Sequence, residues 1–230
     1  MMAKYLLAIC LLFSSFGVFA HALWIETSPA GKKGQAQEVK IFYGEYSEGK
    51  PEKIEDWYSD VKEFSIWLIG PDNQKVQLVT SAAGDHFTTS FTPASEGSYT
   101  LLISHEAKDL GRTTKYQFNT SATVKVGSAV LSATASNPLN ATIQGNKLKK
   151  PVRINGFFKD QPADKFTATI FSPAGWTKEI SSDKGFVEFT PEWAGKYMIE
   201  ISRTDEEKGD HNGKAYEKVW RCATSLINIQ

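Results

Sequence analysis

The sequence predicts an all-β protein of two tandem β-sandwich domains, and three observations carry that reading. Short runs of alternating apolar and polar residues recur roughly every ten residues between Gly, Pro, Asn and Asp, and no long stretch keeps a helical apolar period. The second half repeats the first. Phe91-Thr92-Pro93, Gly97, Tyr99 and Ile103-Ser104 return, 98 residues on and with identical spacing, as Phe189-Thr190-Pro191, Gly195, Tyr197 and Ile201-Ser202. Glu96-Gly97-Ser98-Tyr99 and Ala194-Gly195-Lys196-Tyr197 then look like the tyrosine corner of immunoglobulin-like sandwiches, where Gly turns the chain and the Tyr hydroxyl bonds back to the backbone.

Residues 1–20 read as a secretory signal, with Lys4 as the positive region and an apolar run from Tyr5 to Phe13. That run is shorter than the roughly 20 apolar residues a bilayer span needs, and no later segment comes close. Cleavage after Val18-Phe19-Ala20 would free His21. Cleavage after Ala20-His21-Ala22, a closer A-x-A match, would remove it, and pattern alone leaves both cuts open. The mature chain is expected in the periplasm or secreted.

Residues 21–127 form the expected first immunoglobulin-like domain and 128–230 the second. The clearest strands are Val39 to Tyr43, Phe64 to Ile69, Lys75 to Val79, Phe87 to Phe91, Tyr99 to Ser104 and Thr114 to Val126. Beyond Asn137-Pro138 the series resumes with Val152 to Phe158, Phe166 to Phe171, Gly185 to Phe189, Tyr197 to Ser202 and Tyr216 to Ile229. Ile69-Gly70-Pro71-Asp72-Asn73 has its counterpart in Phe171-Ser172-Pro173-Ala174-Gly175. Past the signal Cys222 is the single cysteine, so no internal disulfide can form, and its alternating register with Trp220 and Thr224 points it at a core.

Charge excludes some partners. With 26 basic and 26 acidic residues, no field attracts nucleic acid or anionic lipid. No G-x-S-x-G, H-E-x-x-H, P-loop or C-x-x-C occurs, and an enzyme is not expected. The four histidines say more. In a sandwich of this kind His21 precedes the first strand, Glu45 follows the Tyr43-Gly44 end of the second, His86 opens the strand after Gly84-Asp85, and His105 closes the Tyr99 strand. All four fall at one pole of the first domain. A chain starting at His21 offers an α-amine and an imidazole to one ion, a borderline N/O set suited to Cu(II), Ni(II), Co(II) or Zn(II). Plainer readings stand beside this: His86 as an exposed polar residue and His105 as a cap on the core edge. His211, in Lys208-Gly209-Asp210-His211-Asn212-Gly213, would face the domain junction in a linear tandem.

These residues carry a resemblance. His21-Ala22-Leu23-Trp24-Ile25-Glu26, the run from Val39 to Tyr43-Gly44-Glu45, the Gly84-Asp85 turn and the Phe91-Thr92-Pro93, Gly97, Tyr99 series are similar to the DUF4198 family, as is the two-copy length. Those proteins are exported and mostly bacterial, some described as periplasmic accessory components of nickel or cobalt uptake transporters. The resemblance implies cleavage before His21, a periplasmic location, and capture of a transition metal for an inner-membrane uptake transporter. One departure is Glu45, where some relatives carry histidine after the Tyr-Gly pair. The expected ligand set is therefore His21, His86 and His105, with Glu45 as a fourth. The alternative is an immunoglobulin-like adhesion or carbohydrate-binding module without metal, and a copper-dependent oxidative enzyme has no support in the residues.

Overall fold

Alternation drives each sheet. Along Gln37–Gly44 the side chains of Val39, Ile41 and Tyr43 are buried while Glu38 points to solvent, so a strand there has one wet face and one dry face to cover. A computed structural model describes residues 21–128 and 136–230, so the leader read at 1–20 and part of the inter-domain segment lie outside the described residues. The first half contains β1 (Ala22–Thr27), β2 (Ala30–Gly31), β3 (Gln37–Gly44), β4 (Ile66–Ile69), β5 (Lys75–Leu78), β6 (Ser81–Ala82), β7 (His86–Phe91), β8 (Gly97–Glu106) and β9 (Thr114–Val126). Three single 3-10 turns, Tyr46–Glu48, Ile54–Asp56 and Val61–Glu63, fill the long connection from β3 to β4. The second half contains β10 (Leu139–Gln144), β11 (Val152–Phe158), β12 (Gln161–Pro162), β13 (Phe166–Phe171), β14 (Thr177–Ser182), β15 (Phe186–Phe189), β16 (Gly195–Asp205), β17 (Gly209–His211), β18 (Lys214–Tyr216) and β19 (Lys218–Ile229).

The protein is a pair of immunoglobulin-like β-sandwiches, and they are joined side by side. The front sheet of the first half has the order β1-β3-β7-β6, and that of the second is built on β10, β11, β12 and β15. The back sheets are one. A single nine-stranded sheet runs β14-β13-β16-β19-β9-β8-β4-β5, with β2 added to β9. Its seam is the parallel pairing of β19 with β9, from Lys218↔Thr114 to Thr224↔Thr120. Each strand would otherwise be the open edge of its own sandwich, and the seam satisfies both rows of backbone groups. Because the seam is parallel, the same pole of each copy points the same way. A linear tandem, in which His211 faces a junction remote from the first domain's tip, is not what forms. The His211 Nε2 lies 2.9 Å from the carbonyl of Ala107, at the tip of the first sandwich.

The shared sheet gives β19 two different cores. Cys222 is fully buried in the first domain's core with Leu23, Ile41, Tyr43 and Phe118, whereas Ala223 and Ile229 belong to the second, with Ile154, Ile170 and Tyr197. The thiol faces a core as expected, but the core is the other domain's. A third cluster forms where β1 lies on the outer face of the second domain's sheet: Ala22 and Trp24 pack on Phe171 and Met198. Lys196 Nζ reaches Glu26 at 2.7 Å beside it. At the exit from the inter-domain segment, buried Asn137 donates to the carbonyls of Ile103 and Thr120, both at 2.9 Å, tying it to adjacent strands β8 and β9.

The repeated motif has the same physical role twice. Gly97 and Gly195 take φ of +148° and +125° where β8 and β16 begin, and a Cβ on them would lie 2.5 Å from Pro71 and 3.2 Å from Pro173. The two repeated segments of each copy therefore touch, glycine on proline. Tyr99 Oη donates to the carbonyl of Ser95 at 3.0 Å, and Tyr197 Oη to that of Trp193 at 3.1 Å, each also accepting from the same residue's N–H. Tyr197 is fully buried, so Tyr197→Phe should cost about 1–2 kcal/mol by urea titration, with Tyr99→Phe at or below that. No loss in either variant would mean the corner bonds are energetically idle.

Candidate functional site

A cleft of about 1030 Å³ opens between the two sandwiches, on the side where the shared sheet shows the outer face of its second-domain half. Strand parity builds its floor. Thr169 and Phe171 on β13, Glu179 on β14, Met198, Glu200 and Ser202 on β16, and Trp220 on β19 all point to one face, because Ala168, Ile170, Ile199 and Ile201 between them are committed to the second core. The wall comes from the first domain. His21 at the head of β1, Tyr43 and Glu45 at the end of β3, Tyr46, and Glu52, Asp56 and Tyr58 from the connection line it.

The four candidate metal residues are not brought together. His21 and Glu45 line the cleft; His86 and His105 do not. Alternation explains His86. It lies opposite Phe42 in the β3–β7 register with its ring stacked on Phe42 at 4.9 Å, on the outer face of the front sheet, and its Nδ1 sits 2.6 Å from Asp85. His21 lies on the other face, 5.7 Å from the Tyr43 ring. His105 follows Ile103 on the inner face of the back sheet, where its Nε2 meets Asp60 at 3.0 Å. Burial pushes the Asp60 carboxyl up, but the Lys108 N–H and His105 outweigh it and hold it below the usual range. Glu45 accepts from Ser47 Oγ at 2.8 Å. Among the described residues no group of three His, Cys, Asp or Glu side chains is placed to hold a metal ion.

Two further residues define the site, and sequence reasoning passed over both. Glu52 Oε1 stands 2.5 Å from His21 Nε2, at the mouth of the cleft. It follows Pro51 in a loop whose acids and lysines read as a solvated face. Glu200 sits on the floor, only 6% exposed, on the strand face that looks outward in a lone sandwich. Burial, with Glu179 nearby, pushes its carboxyl up to about 8. Burial also raises the Cys222 thiol, with Glu200 adding to the effect, and raises the Tyr43 hydroxyl, with Glu52 adding. Lys218 is the one lysine or arginine among the lining residues, against carboxylates at Glu45, Glu52, Asp56, Glu179 and Glu200.

Among the described residues no helix is long and apolar enough to cross a membrane. No family model matches the chain, and no curated protein matches it either. Among solved structures it is similar to a DUF4785 family protein from Legionella pneumophila, at 13% identity and a TM-score of 0.33 over 77% of this chain. It spans 51% of that protein's length. It is also similar to a two-domain fibronectin type-III segment of chicken tenascin, at 12% identity and a TM-score of 0.25 over 89% of this chain and 97% of that one.

Proposed function

We propose that the mature chain is an exported, non-enzymatic protein that captures a divalent transition ion, nickel, cobalt, copper or zinc, at the His21 end of the cleft for an inner-membrane uptake transporter. The observation that carries this reading is the His21–Glu52 contact. When Nε2–H donates to a carboxylate, the ring is held in the tautomer that leaves Nδ1 unprotonated. In a chain beginning at His21, that nitrogen and the α-amine close a six-membered chelate on one ion. Histidines that ligate metals commonly donate their other N–H to a carboxylate in this way, which fixes the ring and raises its basicity. Glu52 is thus a positioning residue, and Glu45, which lines the same cleft, is the one candidate able to add a carboxylate oxygen. His86 and His105 take no part. The similarity to DUF4198 proteins supports the same function and a periplasmic location.

The test is N-terminal sequencing of exported protein, followed by calorimetric titration with Ni(II) and Cu(II). The parent should bind more tightly than about 1 μM. His21→Ala, or a single residue added before His21, should weaken binding at least about 100-fold. Glu52→Gln should weaken it about 10- to 100-fold. A mature chain starting at Leu23, or full affinity in the extended chain, refutes the reading. The alternative, a carbohydrate-binding module, draws on Trp176 and Trp193. They stand 37% and 38% exposed with ring centroids 6.2 Å apart, and an exposed aromatic pair can stack on a sugar.

A further inference from the structure

The floor of the cleft holds a group that the metal reading does not use. Glu200 is nine-tenths buried, lines the cleft, and among the described residues its carboxyl has no hydrogen-bond or ion-pair partner. Its cross-strand neighbours are both threonines, Thr169 on β13 and Thr224 on β19, and the Thr224 hydroxyl already donates to the Leu23 carbonyl at 2.6 Å. Desolvating a carboxyl that has no protein partner is unfavourable, and its only access to a partner is through the cleft it lines. Glutamine or leucine would fill the position without that cost.

What the group lacks can be read from its surroundings. The missing partner is a donor and a positive charge, because Glu179 lies beyond Thr169 on the same face while Lys218, the one lysine or arginine lining the cleft, is engaged with Glu206 at 3.1 Å. The flanking surface is aromatic and apolar, with Phe171, Met198 and Trp220 on the floor and Tyr46 on the wall. Ring faces beside carboxylates favour an organic cation with a hydrocarbon body over a hydrated metal ion. Hard metal ions take six to eight oxygens, or an octahedral set with several waters. The floor offers no such shell, and no three-residue metal cluster exists among the described residues. A volume of about 1030 Å³ is at the upper end of small-molecule sites.

We propose that the inner cleft is a second binding site, for a small organic amine in its ammonium form, whose N–H groups are taken by Glu200 with Glu179 and whose carbon body lies against Phe171 and Trp220. The site uses floor residues that the metal reading leaves idle and does not depend on metal. Binding should titrate Glu200. The titratable and charged groups lining the cleft with it are Glu179, Glu45, Glu52, Asp56, His21, Lys218 and the tyrosines Tyr43, Tyr46, Tyr58 and Tyr116, with Cys222 close by. None of these brings a second cation to the floor.

The experiment is calorimetric titration of the full mature chain with n-butylamine, 1,4-diaminobutane and tetramethylammonium, with EDTA present so that no metal contributes. Both amines should bind, the diamine more tightly, and tetramethylammonium, which has no N–H, at least about tenfold more weakly. Glu200→Gln should lose about 10- to 100-fold in affinity, the range for a hydrogen bond to a charged group. At pH 6.5, paired buffers of different ionisation enthalpy should report release of about one proton per amine bound, and none from Glu200→Gln. Glu179→Gln, at an exposed position that leaves the fold alone, should show a smaller loss and keep the proton release. Absence of binding by the parent at about 10 mM amine overturns the proposal. So does equal affinity in both glutamine variants, or tetramethylammonium binding as tightly as butylamine.

Discussion

Replacing Arg221 by alanine is expected to lower the unfolding free energy by about 3–5 kcal/mol, the range for removing one partner of a buried ion pair. Arg221 sits on β19 at the seam, 5% exposed, and its three nitrogens each have a different partner. Nε donates to Gln117 Oε1 on β9 at 3.0 Å, Nη1 to Asp205 Oδ2 at 2.7 Å and Nη2 to Glu207 Oε2 at 3.0 Å. The guanidinium also lies 4.9 Å from the Phe158 ring, so it links the second domain's front sheet to the strand pairing that joins the domains. Alanine would leave Gln117 Oε1 without its donor at a buried position, and Asp205 with only Arg203. Arg221→Lys should recover less than half of the loss, because an ammonium cannot reach three partners in one plane. Urea denaturation of the three proteins measures this. A loss below about 1 kcal/mol for Arg221→Ala would mean that the seam is held without the guanidinium, by backbone pairing, Cys222 packing and the bond from Asn119 to the Cys222 carbonyl.

That seam is where sequence reasoning ran out, and the reason is physical. Individual strands were legible because alternation is local: Thr114–Val126, Val152–Phe158 and Phe166–Phe171 form with the limits their patterns predict. The tyrosine corners were legible because a glycine with positive φ and a tyrosine two residues later leave a fixed spacing. Thr177–Ser182 was not, since an edge strand carrying Lys178 and Glu179 has little apolar content to alternate. The parallel pairing of β9 with β19 left no mark at all. Its ladder hydrogen bonds are between backbones, the polar side chains that add to it (Gln117, Asn119, Ser121) carry no distinctive spacing, and the Tyr116, Phe118, Trp220 and Cys222 that cover it read equally well as ordinary core. The histidine placement failed for a related reason. Strand ends at one pole are close in the chain's topology, but parity decides which face each side chain takes, and His21 and His86 fall on opposite faces of one sheet. Glu52 and Glu200 could not be found by spacing, because Glu52 is made notable by a contact with His21 that only the folded first domain brings about, and Glu200 by its burial on a cleft floor walled by the other sandwich.

Glu200 turns that burial into a measurable pH dependence. In the unfolded chain its carboxyl titrates at the ordinary value of 4.5, and in the folded protein it is pushed up to about 8 by desolvation and then by Glu179. Below pH 4.5 both states hold the proton and the group contributes no slope. Between these limits the unfolded chain gives the proton up while the folded chain keeps it, so the unfolded state binds fewer protons and unfolding becomes easier as pH rises. Above about pH 8 both states are ionised and the effect is complete. At about 1.4 kcal/mol for each unit of displacement, the loss across this window is on the order of 4–5 kcal/mol. Glu200→Gln, which has the shape of the protonated acid, should match the parent near pH 4.5 and exceed it by that amount near pH 9, with other titrating groups common to both proteins. The sign is the discriminating feature. Carboxylates held by cations or N–H groups, such as Asp60, stabilise the fold as pH rises, whereas an orphan acid on a cleft floor does the reverse. A saturating ammonium ligand should flatten the parent's curve, because it supplies the folded state with the charge that Glu200 lacks. Should the two proteins instead keep parallel profiles from pH 4.5 to 9, Glu200 would be ionised and solvated in the native state. The first domain's wall would then not close over it.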